Sequence, residues 1–171
     1  MKSALINIDV QGPYTNGSPK ITKAIGDFTD AARDKMPVIW VCMDWVNLKD
    51  AFSAAAIQNP PASVKFKEHM APTLKIHPKD FIQPKENISV FRETKFKDFL
   101  VDQGIEKLYF TGFLASQCLQ QSAFDADKNL FKKILLSDLA SDGLDETPTK
   151  SQLNLYRFNN VEVMNSYDLD L

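Results

Sequence analysis

The sequence predicts an α/β fold with three layers, in which a six-stranded, mostly parallel sheet lies between helices. Short apolar runs alternate along the chain with segments whose apolar residues recur at helical spacing, and this alternation is typical of parallel α/β sheets. Proline and glycine concentrate between those segments, where they mark loops. The 171 residues are the size of one domain, so we expect a single domain over residues 1–171.

The individual elements are predicted from their own stretches of sequence. Strands are expected where the chain has short apolar runs, as in Val-Ile-Trp-Val-Cys-Met, and helices where apolar residues recur every three to four positions. The region 45–79 is the least regular, and loops beyond the carboxyl ends of parallel strands often form pockets. In chain order we expect strand 4–9, helix 21–33, strand 38–43, strand 81–82, helix 94–103, strand 108–111, helix 117–130, strand 134–137, helix 146–157 and strand 161–164.

The composition excludes several classes of function. Apolar residues make up 44% of the chain, charged residues 25%, and the net charge is −2, which favours neither nucleic acid nor an anionic membrane as a partner. No apolar run approaches the roughly 20 residues of a membrane span, and the N-terminus is too soon polar for a signal peptide. Two cysteines without a Cys-x-x-Cys spacing suggest a reducing, cytoplasmic location. Two histidines make a histidine-rich metal site unexpected.

Cys118 is the strongest candidate for a reactive group. It follows an apolar run at 108–110 that reads as a buried strand, Gly112 is expected to end that strand, and Ser116 to cap the next helix. A thiol in the first turn of a helix lies near unpaired N–H groups and the positive end of the helix dipole, which favour a thiolate and can hold an oxyanion. A buried cysteine can equally be a small apolar residue, which is our expectation for Cys42.

Asp9 and Lys85 are candidates because each follows a predicted strand. Asp9 ends the first strand, at the edge of the sheet where ligands bind in this architecture, although a carboxylate there can also serve only the loop. Lys85 comes after the short strand 81–82, where an isolated lysine would ordinarily be a solvated surface charge. Three nearby basic residues are alternatives to Lys85, namely Arg92, Lys95 and Lys97.

Taken together and in order, these segments resemble the isochorismatase-like cysteine hydrolases, the superfamily that includes nicotinamidases and N-carbamoylsarcosine amidases. Ile8-Asp9-Val10-Gln11 resembles the aspartate-bearing start of that family. Lys85, with Ser89 and Phe91 four and six residues behind it, resembles the lysine segment, and Gly112 with Cys118 six residues on resembles the nucleophile segment.

The resemblance implies a catalytic triad of Asp9, Lys85 and Cys118. Asp9 would be the general base that takes the thiol proton, and Lys85 would lie beside both groups. An ammonium lowers the cost of a thiolate and of a carboxylate, so the physical chemistry agrees with those roles. The resemblance also implies a cis peptide between Phe113 and Leu114, with the N–H groups of Leu114 and Cys118 forming an oxyanion hole.

Two departures from the family pattern affect the expected chemistry. Zinc-binding nicotinamidases carry an Asp-x-His pair after the second strand, whereas this chain has Asp44-Trp45-Val46, so we expect no metal and nicotinamide becomes a less favoured substrate. Isochorismatase proper lacks the cysteine and cleaves a vinyl ether, so Cys118 favours the amidase-like branch. Pocket candidates are residues beside these segments or in the irregular region, chiefly Gln11, Trp45 and Phe91, and further Tyr14, Phe52 and Leu114.

The sequence therefore predicts a hydrolase that cleaves the C–N bond of a small amide-like molecule through a thioester, without a cofactor. Its partner would be that small molecule, and since members of the family often self-associate, a homo-oligomer (dimer or tetramer) is compatible with the resemblance. The alternative is a binding or assembly module on the same fold, in which Cys118 is inert or only redox-sensitive. A module of that kind has no need for an acid, a lysine and a thiol in these three segments.

Overall fold

A computed structural model describes residues 1–15, 17–43, 70, 71 and 73–170, and in them the predicted α/β fold is confirmed. The sheet has six strands in the order β3-β2-β1-β4-β5-β6, and every neighbouring pair is parallel. The strands are β1 (Lys2–Ile8), β2 (Val38–Met43), β3 (Phe81–Lys85), β4 (Ile105–Phe113), β5 (Lys132–Ser141) and β6 (Val161–Met164).

Helices cover both faces of the sheet. The helices are α1 (Gly12–Thr15), α2 (Pro19–Ala32), α3 (Thr94–Asp102), α4 (Cys118–Asp125) and α5 (Lys150–Phe158), with short 3-10 helices at Val90–Arg92 and Ser166–Asp168. Buried side chains of α2, such as Ile25, pack with Trp40 on one face, and Phe96, Leu119 and Tyr156 of α3, α4 and α5 pack on the other. None of the helices in the described residues is long and apolar enough to cross a membrane.

Several element boundaries differ from those that the sequence predicts. The strand predicted over 81–82 continues to Lys85 despite Pro84, because β3 is the last strand on its side of the sheet and can spare an N–H. The helix predicted over 117–130 ends at Asp125, because Asp127 accepts hydrogen bonds from the N–H groups that follow it and forms a turn. The helix predicted from 146 begins at Lys150, after Thr149 caps it.

The strand order reverses between β1 and β4, and that reversal creates the crevice in which ligands bind in open α/β sheets. At this point Ile8 of β1 pairs with Gly112 of β4. Gly112 has φ of +111°, and a Cβ atom there would lie 2.0 Å from the Ile8 carbonyl oxygen. The sequence suggested that Gly112 ends β4, but the strand continues to Phe113. Because glycine has no side chain, β1 and β4 can approach closely at the edge from which the chain leads to Asp9 and to Cys118.

Candidate active site

Asp9 and Lys85 form a fully buried ion pair at the carboxyl edge of the sheet. Asp9 directly follows β1, and its backbone N–H donates to the carbonyl of Val41 at 2.9 Å. Lys85 is the last residue of β3, and its Nζ lies 2.9 Å from Asp9 Oδ2, with both side chains 0% exposed. The alternative basic residues at 92, 95 and 97 have exposed side chains, so Lys85 is the lysine that the fold brings to Asp9.

Lys85 reaches Asp9 across the end of β2, which lies between their two strands. On the way its Nζ lies 2.9 Å from Met43 Sδ and donates to the Asn87 carbonyl at 3.1 Å. Neither carboxylate oxygen of Asp9 accepts a hydrogen bond of standard geometry within the described part of the chain. The carboxylate is therefore charge-compensated by Lys85 but keeps acceptor capacity for another group.

Cys118 is the first residue of α4, and its side chain is 6% exposed. Its thiol lies close to both partners, since the charges of Asp9 and Lys85 both act on its pKa. The fold thus brings together the acid, the lysine and the thiol that the sequence singles out. The other cysteine, Cys42, is buried in the core on the face of α2, in agreement with the expectation for it.

Burial dominates the protonation of this site. It raises the pKa of the Cys118 thiol to about 11, the Asp9 charge raises it as well, and Lys85 opposes both effects. Burial also raises the pKa of Asp9, again against the influence of Lys85. Burial and the Asp9 charge therefore outweigh the effect of Lys85, which by itself favours a thiolate, and the thiol is protonated at neutral pH.

The loop that leads to Cys118 has two N–H groups available. The Phe113–Leu114 peptide is cis, as the family resemblance implies. The Leu114 carbonyl accepts from the N–H groups of Gln117 and Leu119, at 3.0 and 3.1 Å. Within the described residues, no hydrogen-bond acceptor is found for the N–H of Leu114 or of Cys118. The Cys118 N–H lies at the start of α4 and the Leu114 N–H in the loop that precedes it, and two such unpaired donors could bind an oxyanion.

Asp142, which follows β5, and Tyr156 of α5 hold this loop, and the sequence reasoning missed both. Asp142 accepts from the N–H and the hydroxyl of Ser116, at 2.7 and 2.8 Å. Ser116 therefore does not cap α4, which the sequence had suggested, because its hydroxyl is committed to Asp142. The buried Tyr156 hydroxyl donates to the Ala115 carbonyl at 2.7 Å. No local pattern reveals these contacts, since the partners are 26 and 41 residues away along the chain.

The predicted pocket residues have different surroundings. Gln11 is fully buried, and both ends of its amide bond the Met43 backbone. Phe91 is half-buried in an aromatic cluster, with ring centroids 5.2, 6.5 and 6.1 Å from three other phenylalanines. Trp45 and Phe52 lie outside the described residues. The pKa of half-buried Tyr14 is raised to about 12, first by burial and then by the charges of Asp9 and Cys118. Tyr14 therefore lies within the electrostatic field of the site.

No group of three or more histidine, cysteine, aspartate or glutamate side chains in the described part of the chain could hold a metal ion. The segment 44–46, in which the sequence replaces the second residue of the zinc pair by valine, is outside that part. The absence of a metal site therefore stays a prediction.

Comparison with known proteins places this chain in a family. The model of the isochorismatase domain matches residues 3–167. A comparison with curated proteins found no match. Among solved structures, an isochorismatase-like hydrolase from Alkaliphilus metalliredigens has a TM-score of 0.75 at 20% identity and covers 98% of this chain and 96% of its own. N-carbamoylsarcosine amidase from Thermoplasma acidophilum has a TM-score of 0.74 at 17% identity, with full coverage of both chains.

A pyrazinamidase of Pyrococcus horikoshii in complex with zinc also has this fold, with a TM-score of 0.71 at 18% identity over 96% of this chain and 99% of its own. At such identities the likeness to solved structures establishes the fold alone. The match to the family model is different, because it spans nearly the whole sequence, including all three residues of the buried cluster. The chain belongs to the isochorismatase family of hydrolases.

Proposed function

We propose that this protein hydrolyses the C–N bond of a small amide-like molecule, with Cys118 as the nucleophile. The observation that carries the proposal is the buried cluster in which a thiol lies in the field of a carboxylate that is itself paired with an ammonium at 2.9 Å. Such an arrangement supplies a nucleophile, a proton acceptor and a compensating charge within one water-poor site. An amide substrate is favoured because the structurally similar proteins include an N-carbamoylsarcosine amidase and a pyrazinamidase.

In the first half of the reaction, the sulfur of Cys118 attacks the substrate carbonyl carbon while Asp9 takes the thiol proton. The raised pKa of the thiol means that the proton must leave during attack, and the raised pKa of Asp9 makes that carboxylate a better acceptor than an exposed one. The carbonyl oxygen gains negative charge, which the N–H groups of Leu114 and Cys118 would bind.

In the second half, protonated Asp9 gives its proton to the departing nitrogen, and the C–N bond breaks to leave a thioester on Cys118. A water molecule, deprotonated by Asp9, then attacks the thioester carbonyl and releases the acid, and the thiol regains its proton. Lys85 stays charged throughout and compensates whichever of Asp9 and Cys118 carries the negative charge. The site returns to its starting protonation state after each turnover.

The test is the release of ammonia or amine from a panel of small primary amides and N-carbamoyl compounds. We expect wild-type protein to hydrolyse at least one member, and Cys118→Ser to lose at least about a thousandfold in kcat/KM while it remains folded by circular dichroism. Cys42→Ala is the matched control, since it removes the other thiol, and it should retain activity. Undiminished activity of Cys118→Ser would refute the proposal.

A further inference from the structure

The amide of Gln11 makes a two-way bond with the backbone of Met43. Its Nε2 donates to the Met43 carbonyl at 3.2 Å, and the Met43 N–H donates to its Oε1 at 2.8 Å. Gln11 is 0% exposed, so its hydrogen-bonding groups are committed before any substrate arrives. The residue that the sequence suggested as a substrate contact is thus occupied in holding another strand.

The bond to Gln11 matters for Met43 because Met43 lies beyond the residues that pair between β1 and β2. The last paired residues of those strands are Ile8 and Val41, two positions before Met43. On its other side Met43 pairs with Lys85 in the β2–β3 register, and its Sδ lies 2.9 Å from Lys85 Nζ. The end of β2 is therefore bound by the Gln11 side chain to the segment that follows β1, and by backbone pairing and the Met43 sulfur to Lys85.

The backbone of Gln11 is fixed as well, which makes it a firm anchor. Its N–H donates to the Asp9 carbonyl at 2.7 Å, and it forms an antiparallel bridge with Met70. Only Val10 separates it from Asp9, so Gln11 and the carboxylate belong to the same short segment. A continuous set of contacts thus runs from that segment through Met43 to Lys85 and back to Asp9.

We propose that Gln11 is a positioning residue that, through Met43, holds the Lys85 ammonium against Asp9 and Cys118. The proposal rests on the proposed function, since it assigns Gln11 a part in the same site. An apolar residue of equal size would fill the space but would leave the end of β2 free to move away from β1. The ammonium would then lie farther from the two groups whose negative charge it compensates.

The test uses Gln11→Met, which keeps the length of the side chain and removes both hydrogen bonds. The readout is the rate of Cys118 alkylation by iodoacetamide between pH 8 and pH 10, mapped by mass spectrometry. Lys85 lowers the pKa of the thiol, so a displaced ammonium lets that pKa rise. A rise of about half a unit slows alkylation about threefold at a given pH below the pKa, and this is the minimum effect that we expect.

Thr29→Val is the matched control for the loss of a buried side-chain hydrogen bond near the same part of the sheet. Thr29 accepts from Asn7 of β1 at 3.2 Å, away from Lys85. This variant should leave the alkylation profile unchanged even if it lowers stability. Met43→Leu tests the contact between the Met43 sulfur and Lys85 separately, because it removes the sulfur and keeps the bonds between the Gln11 amide and the Met43 backbone. It should slow alkylation by less than Gln11→Met does.

In turnover, Gln11→Met should lower kcat with little change in KM. An alkylation profile that coincides with that of wild type would overturn the proposal, as would a raised KM with unchanged kcat, which indicates contact with substrate. If Gln11→Met does not fold, an unchanged profile for Met43→Leu has the same consequence. Because alkylation needs no turnover, the proposal can fail while the hydrolase function stands, and the hydrolase function can fail without affecting this test.

Discussion

Replacement of Lys85 by methionine tests how strongly the buried ion pair bears on the stability of this site. Methionine resembles lysine in length but carries no charge, so the variant leaves the Asp9 carboxylate buried without its cation. Both side chains are 0% exposed and their charged atoms lie 2.9 Å apart. Removal of one partner from such a pair costs about 3–5 kcal/mol, because the remaining charge is uncompensated. We expect the free energy of unfolding to fall by that amount at pH 8.

The loss should depend on pH because Asp9 can bind a proton. Burial already raises the pKa of Asp9 above its usual value of 3.8, and without Lys85 it rises further. A raised folded-state pKa adds stability that is full below the unfolded value and is lost as the pH rises through the folded value. The deficit of the variant should therefore be small at pH 5. Toward pH 8 it should grow by up to about 1.4 kcal/mol per pH unit.

The assay is urea unfolding at pH 5 and pH 8, followed by tryptophan fluorescence, to which the buried Trp40 contributes. Wild type, Lys85→Met, Asp9→Asn and the double variant form a thermodynamic cycle, in which the double variant should recover much of the stability that Lys85→Met loses. Lys97→Met, an exposed lysine, is the control and should show no pH-dependent deficit. A deficit for Lys85→Met that is below about 1 kcal/mol at pH 8, or independent of pH, would refute the reasoning.

Three further predictions concern the strand approach, the thiol and the loop. Gly112→Ala places a Cβ atom 2.0 Å from a carbonyl oxygen of β1 and should destabilise the fold by about 3 kcal/mol or more, measured by urea unfolding. Gly104→Ala, with a positive φ but open space, should cost about 1–2 kcal/mol. Because burial raises the pKa of the Cys118 thiol from 9.0 to about 11, wild type should lose about 2 kcal/mol relative to Cys118→Ser as the pH rises from 9 to 11, seen as diverging urea midpoints. Tyr156→Phe removes the bond to the Ala115 carbonyl, so it should cost about 1–3 kcal/mol and lower kcat more than it raises KM.

The sequence predicted the sheet and two of the three residues that meet at its edge for a common reason. A parallel strand between helix layers is an apolar run, and the residue that follows it lies at the edge where the strands end. Asp9 and Cys118 could be located from that rule and from the family resemblance. Lys85 could be located only through the resemblance, since the pattern of apolar residues stopped at position 82, whereas the strand itself ends at Lys85.

What the sequence could not supply depends on contacts between distant segments. The thiol pKa is raised because the fold buries Cys118 beside Asp9, and no local pattern reports the depth of burial. The two-way bond between Gln11 and Met43 spans 32 residues, so Gln11 was interpreted from its neighbours in sequence as a substrate contact. Ser116 was interpreted as a helix cap for the same reason, although its partner is Asp142.

The central claim is that Cys118 forms a covalent acyl intermediate with an amide. The most direct measurement is rapid-quench mass spectrometry of the intact protein during turnover of the best amide in the panel, followed by peptide mapping. The account predicts an added mass equal to the substrate less its amine or ammonia, located on Cys118 and absent from Cys118→Ser. Turnover by Cys118→Ser at the wild-type rate, or an adduct located on another residue, would contradict it.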